Sequence, residues 1–135
     1  MGHSVSRRAI LASSGAALAI GPRAALGEKK YDAGVTDTTI KLGTTAPYSG
    51  PASSFGAYGR AMSGYFQMVN DQGGINGRKV NLISLDDSYS PPKTVEQTRK
   101  LVEEDNVFII AGPLGTAPNS AIQKYLNAKQ MPTVF

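Results

Sequence analysis

The chain has 135 residues, 14 Lys and Arg against 10 Asp and Glu, one histidine and no cysteine. This length allows one small domain with a modest core, and the absence of cysteine excludes disulfides, thiolate nucleophiles and cysteine metal sites. The basic residues alternate with acidic ones along the chain and do not form the stripe that neutralises phosphates, so we expect no nucleic-acid partner.

The amino terminus has the pattern of a secretion signal. Arg7 and Arg8 directly precede an apolar run, 9–20. That run is shorter than the roughly 20 residues that a membrane-spanning helix needs. The arginine pair favours the twin-arginine export route, and the alternative is a general export signal that carries two arginines by chance.

The end of this signal is predicted from small residues. Ala25 and Gly27 lie on either side of Leu26 and precede a polar segment, so we expect cleavage after Gly27 and a periplasmic mature protein. The single histidine, His3, falls within the signal, which leaves the mature chain no imidazole for a Ser-His-Asp triad or a zinc site. The sequence thus divides into a signal (1–27), a polar lead (28–38) and one domain (39–135).

The domain begins with a predicted strand and a predicted helix. Residues 39–46 alternate between apolar and polar, as a half-buried strand does. After a loop, apolar residues recur at helical spacing and predict a helix of about four turns that ends at Gly73 and Gly74. Its inward stripe is predicted to contain Tyr58, Ala61, Met62, Tyr65, Phe66 and Val69. The two tyrosines of this stripe, Tyr58 and Tyr65, are therefore expected in the core.

A second strand and helix follow. The apolar, branched run 80–85 predicts the strand. Ser90 is suited to an N-cap and Pro91 to the first helical position, so a helix is expected from there to about Asp105. Its inward face is predicted to consist of Val95, Thr98, Leu101 and Val102.

The last predicted elements are a strand, a helix and the start of another strand. Residues 107–111 lack polar alternation, which is typical of a central strand covered on both faces. A helix is expected over 116 to about 129, followed by a strand from 132 to 135. The inward residues of that helix are predicted to be Ala121, Ile122, Tyr125 and Leu126.

This alternation of strands and helices predicts an α/β fold with an open, doubly wound parallel sheet. In such sheets ligands bind beyond the carboxyl ends of the strands, where the strand order reverses. Three loops meet there in the predicted fold, 47–56, 86–90 and 112–115, and each leads into a helix amino terminus.

The third loop is suited to an anion. Gly112 and Gly115 carry little bulk, and Thr116 places a hydroxyl beside the free N–H groups of a helix start. The alternative is that Thr116 is an ordinary N-cap. In the first loop, Phe55 could cover a ligand or simply staple the helix that follows it.

Asp86 and Asp87 could form a metal or acid-base pair. Adjacent strand residues point to opposite faces, however, so their carboxylates are not expected to converge. A structural role is the preferred interpretation. None of the loops has the spacing of a phosphate-binding loop or of a dinucleotide fingerprint.

Five segments together resemble one family, the periplasmic branched-chain amino-acid (Leu/Ile/Val) binding proteins of ABC importers. They are Ile-Lys-Leu-Gly at 40–43, Pro-Tyr-Ser-Gly-Pro at 47–51, Gly-Gly-Ile-Asn-Gly at 73–77, Asp-Asp at 86–87 and Gly-Pro at 112–113. The resemblance covers about 36–135 and implies the amino-terminal lobe of a type I binding protein, which captures a ligand without catalysis.

The resemblance also implies a site and partners. Thr116, with amides near Gly115, would bind the ligand carboxylate, and Phe55 would cover the ligand. It implies an inner-membrane ABC permease as the partner, no cofactor and no metal. Because the family's other ligand contacts lie beyond residue 135, we expect a truncated copy that binds weakly or not at all alone.

Other function classes stay open at this stage. A ligand sensor on the same fold would bind similarly but signal to a partner, and a non-functional fragment would bind nothing. An exported enzyme is opposed by the lack of mature histidine and cysteine. A receiver domain needs a phosphorylated aspartate where this chain has Ala111 and Gly112. The ligand itself is left open among aliphatic, aromatic, amide and urea-like molecules.

Overall fold

A computed structural model describes residues 30–134, so the predicted signal, its cleavage after Gly27 and the last residue lie outside the described part. Within residues 30–134 the chain forms four strands, three helices and one short 3-10 turn. They are β1 (Thr39–Ala46), the turn Ser53–Phe55, α1 (Gly56–Asp71), β2 (Lys79–Asp86), α2 (Pro91–Glu103), β3 (Ile109–Ala111), α3 (Thr116–Ala128) and β4 (Thr133–Val134). The predicted order of elements is confirmed.

The four strands form one parallel sheet in the order β2-β1-β3-β4. β1 pairs with β2 along its whole length, and it pairs with β3 on its other side at Leu42 and Gly43. From β1 the chain therefore passes to β2 on one side, and it then crosses back to β3 on the other side of β1. This reversal between β1 and β3 confirms the predicted doubly wound sheet and places the expected site.

Helices cover both faces of the sheet. A Cβ on Gly43 would meet Leu101 of α2, whereas Gly59 of α1 approaches Ala46. Residues 43 and 46 are three apart in a strand and so point to opposite faces. α2 and α3 share one face, where the main core cluster is formed by Leu101, Val107, Ile110, Ile122 and Leu126. Burial of each such side chain contributes about 1.5 to 3 kcal/mol.

The predicted inward stripe of α1 is confirmed only in part, because Met62, Phe66 and Val69 are half-buried. Tyr58 and Tyr65 are exposed, at 38% and 56%. The helix meets the sheet through Gly56 and Gly59, its two buried residues, and a Cβ at Gly59 would overlap the Tyr48 hydroxyl. Glycine allows this close approach but has no hydrophobic side chain. Hydrophobic periodicity therefore did not reveal that Gly56 and Gly59 face the sheet.

The exposed part of this stripe borders an apolar depression beside the sheet. It has a volume of about 350 Å³ and is lined by Tyr58, Ala61, Met62, Tyr65, Phe66 and Ala111. Tyr65 and Phe66 make an edge-to-face ring contact there, with centroids 5.5 Å apart.

Smaller differences concern the ends and faces of elements. β3 is shorter than the predicted 107–111, because the N–H of Val107 donates to the carbonyl of Leu101 in α2 and not to a neighbouring strand. In α3 the buried residues are Pro118, Ile122 and Leu126, while Ala121 is exposed. No helix among residues 30–134 is long and apolar enough to cross a membrane.

Candidate ligand-binding site

Three loops lie together at the carboxyl edge of the sheet, as the sequence predicted. They connect β1 to α1, β2 to α2 and β3 to α3. Parallel pairing of all four strands puts these loops at the same end of the sheet. Each loop is followed by a helix amino terminus, so free backbone N–H groups are concentrated at this edge.

Asp86 joins the first loop to the second. Its Oδ1 accepts the N–H groups of Tyr48, Ser49 and Ser88 at 2.8, 3.1 and 3.0 Å. Its Oδ2 accepts the Ser49 hydroxyl at 2.5 Å and the Lys93 ammonium at 2.8 Å. Partial burial raises the pKa of the Asp86 carboxyl, but these hydrogen bonds outweigh it and hold the pKa well below its usual range.

Asp87 joins the second loop to α2. Its side chain is fully buried. One oxygen accepts the N–H of Tyr89 at 2.9 Å and the other accepts the Thr94 hydroxyl at 3.0 Å. Asp86 and Asp87 thus have separate partners, which confirms that their carboxylates do not converge and that both are structural.

Ser90 occupies the predicted N-cap of α2, but its side chain makes no capping bond. Its carbonyl instead accepts both the N–H and the hydroxyl of Thr94, at 2.8 and 3.0 Å. The start of α2 is therefore fastened by Thr94, which also binds Asp87, and this cross-link between helix and loop was not predicted.

Phe55 lies at the predicted place and is not a staple. It ends the 3-10 turn, its side chain is 61% exposed, and a hydrophobic staple would bury that ring. It lines a shallow apolar cavity of about 360 Å³ together with Ala52, Tyr89 and Leu114. All three loops contribute to this cavity, and none of these four side chains is charged.

Tyr89 and Leu114 are the site residues that sequence reasoning missed. Tyr89 was given no role in the site from the sequence, whereas its side chain is 40% exposed and lines the cavity. Its backbone has a φ of +58° and that of Ser88 a φ of +52°, a left-handed conformation that L-residues rarely adopt. The usable signal was its position, two residues beyond Asp87 in a loop that faces the site.

Gly115 brings the third loop against this cavity. Its φ of +103° suits glycine, and a Cβ there would overlap the Tyr89 ring. The loop is fixed by Asn119, whose side-chain amide donates to the carbonyls of Pro113 and Gly115, both at 2.7 Å. Tyr89 therefore contacts Gly115 and lines the same cavity as Phe55.

Thr116 is the first residue of α3 and is exposed, and Gly115 occupies the N-cap without a side-chain capping bond. The alternative interpretation of Thr116 as an ordinary N-cap is therefore wrong. Thr116 lines a separate groove of about 340 Å³ that follows α3 towards β4, with Asn119 and Thr133. The first hydrogen bond of the helix runs from the N–H of Asn119 to the carbonyl of Gly115, at 3.0 Å. The N–H groups that precede Asn119 in this turn therefore stay available for an anion.

Known proteins are similar to this chain in sequence. Curated relatives from Pseudomonas aeruginosa are an "Amino acid binding protein", 34% identical over 74 residues, and a "Leucine-, isoleucine-, valine-, threonine-, and alanine-binding protein", 26% identical over 88 residues. They align with 54% and 64% of this chain. The chain covers only 20% and 24% of their lengths, about a fifth to a quarter.

A solved structure is similar to this chain in fold. A fatty acid ABC transporter substrate-binding protein from Thermomonospora curvata superposes with a TM-score of 0.66 and 31% identity, over 76% of this chain and 26% of that one. The family model described as periplasmic binding protein matches residues 39–135. The resemblance noted from the sequence is thereby confirmed, and the chain belongs to the periplasmic binding protein family.

Proposed function

We propose that this chain is the amino-terminal lobe of the substrate-binding component of an ABC importer. It captures a small carboxylate with an apolar side chain, of which a branched-chain amino acid is the leading candidate. The observation that carries the proposal is the uncharged cavity at the strand-order reversal, where the Tyr89 ring packs against Gly115, the residue that precedes α3.

Two chemical features bind different parts of the ligand. The N–H groups at the start of α3, with the Thr116 hydroxyl, hold the carboxylate, and the helix dipole adds only about 0.3 to 1 kcal/mol to these hydrogen bonds. Phe55 covers the apolar part of the ligand from the first loop. The names of the relatives agree with a carboxylate ligand, because amino acids and fatty acids both carry this group.

The site supports capture and not catalysis. Asp86 and Asp87 are engaged in holding the loops, and the chain beyond the predicted signal has no imidazole or thiol to act as a base or nucleophile. The predicted signal would deliver the protein to the periplasm, where an inner-membrane ABC permease would receive the ligand.

Saturation-transfer NMR on the 135-residue chain tests this proposal, because it detects the millimolar binding expected of one lobe. The panel contains leucine, isoleucine, valine and hexanoate, with leucinol as the control that lacks a carboxylate. We expect signals from the carboxylates and none from leucinol. Absence of signal from every carboxylate, or equal signals from leucine and leucinol, would contradict the proposed function.

A further inference from the structure

Tyr89 has an unusual backbone conformation that hydrogen bonds to two carboxylates hold in place. Ser88 and Tyr89 are two successive non-glycine residues in the left-handed region, a conformation that persists only where the surroundings enforce it. Here the N–H of Tyr89 donates to the buried carboxylate of Asp87, and the N–H of Ser88 donates to Asp86. The ring is thereby aimed while 40% of the side chain stays exposed.

The Tyr89 side chain points towards the cavity. Its ring packs against Gly115, and a Cβ at Gly115 would lie 2.7 Å from the Tyr89 hydroxyl. The same ring lines the cavity with Phe55, Leu114 and Ala52. The apolar wall therefore continues from the first loop, through Tyr89, to the residue that precedes α3.

We infer that Tyr89 is a specificity-determining residue of this site, forming with Leu114 the wall that complements Phe55. The inference rests on the proposed function and deepens it, since it names the ligand class as carboxylates whose remaining group is apolar. A polar side chain placed in this cavity loses its water, and the four lining side chains offer it only the Tyr89 hydroxyl.

Leucine and asparagine test this inference, because they share the amino-acid backbone and have side chains of similar shape but opposite polarity. Both are titrated into the ¹⁵N-labelled 135-residue chain. We expect the unmodified chain to prefer leucine by roughly tenfold, which corresponds to about 1.4 kcal/mol. Tyr89→Ala should abolish most of that preference, whereas Tyr89→Phe, which keeps the ring, should retain it. A change confined to packing would weaken both ligands equally and leave their ratio unchanged.

The matched control is Tyr65→Ala, which removes another exposed tyrosine, on α1 and outside this cavity, and should leave the ratio unaltered. Should Tyr89→Ala not fold, intermolecular NOEs in the unmodified chain decide: we expect contacts from the leucine methyl groups to the Tyr89 ring. An unaltered leucine preference in Tyr89→Ala, or NOEs that reach Phe55 but not Tyr89, would overturn the inference. Binding of neither ligand would instead contradict the proposed function.

Discussion

Asp86 holds two loops together at the carboxyl edge of the sheet. It binds Tyr48 and Ser49 in the first loop and Ser88 in the second. Its ion pair with Lys93 is 2.8 Å long, but the two side chains are 29% and 37% exposed. Water screens such a pair, so the N–H and hydroxyl donors supply most of the stabilisation.

Asp86→Asn should destabilise the fold by about 1 to 3 kcal/mol at neutral pH, because it replaces an acceptor of several charge-assisted hydrogen bonds. The folded-state pKa of Asp86 is lowered. The stabilisation is therefore complete above the unfolded pKa of about 3.9 and disappears as pH falls through that value to the lower folded pKa. Urea unfolding of both proteins across this range measures the difference.

Asp71→Asn is the control for that prediction. Asp71 is exposed at the end of α1 and accepts one hydrogen bond, from Gln67. Its replacement should change the free energy of unfolding by less than about 0.5 kcal/mol. A difference between unmodified protein and Asp86→Asn that stays constant from neutral pH to acid would contradict the role given to the Asp86 charge.

At the scale of elements, α1 is positioned by glycine. Gly59 faces β1, where a Cβ would lie 2.9 Å from the Cβ of Ala46 and would overlap the Tyr48 hydroxyl. Tyr48 is itself fixed by a 2.5 Å hydrogen bond between its hydroxyl and that of Ser84. The ring therefore has little freedom to withdraw, and the helix depends on a missing side chain for its distance from the sheet.

Two glycine replacements in this helix should have opposite effects. Gly59→Ala should destabilise the protein by about 1 to 3 kcal/mol, since overpacking outweighs the better helix propensity of alanine. Gly64→Ala, where a Cβ would meet nothing within 4 Å, should stabilise it by up to about 1 kcal/mol. Chemical denaturation measures both, and equal effects of the two substitutions would refute the close approach of α1 to β1.

The same helix shows where sequence reasoning succeeds and where it fails. Strands and helices were predicted in the right order because apolar runs, prolines and glycines are local signals. The face of α1 was predicted only in part: Met62, Phe66 and Val69 are half-buried, whereas the contacts of Gly56 and Gly59 were missed because glycine has no hydrophobic side chain. The separate roles of Asp86 and Asp87 followed correctly from the alternation of strand residues.

The site was predictable only in part. The expected location followed from the strand order, and Phe55, Gly115 and Thr116 were candidates both from their places in the loops and from the resemblance to the family. Tyr89 was missed because its placement depends on a positive φ and on contact with Gly115, which is 26 positions further along the chain. Neither property is written in the local pattern of apolar and polar residues.

At the scale of the whole molecule, export is a separate prediction from binding. Replacing Arg7 and Arg8 by lysine should block export if the twin-arginine route is used, because that route reads the arginine pair itself. The measurement is the fraction of the protein recovered in the periplasm, with an otherwise unmodified chain as the control. Unchanged export of the double variant would favour the general route.

The described fold places its ligand features at one edge of the sheet, and this arrangement is the central claim. A ¹H–¹⁵N spectrum of the 135-residue chain, recorded while leucine is added to millimolar concentration, tests the claim directly. We predict shifts that saturate and concentrate at Phe55, Tyr89, Gly115 and Thr116. Saturating shifts centred on the apolar depression beside α1, at Tyr65 and Phe66, or no shifts at all, would contradict it.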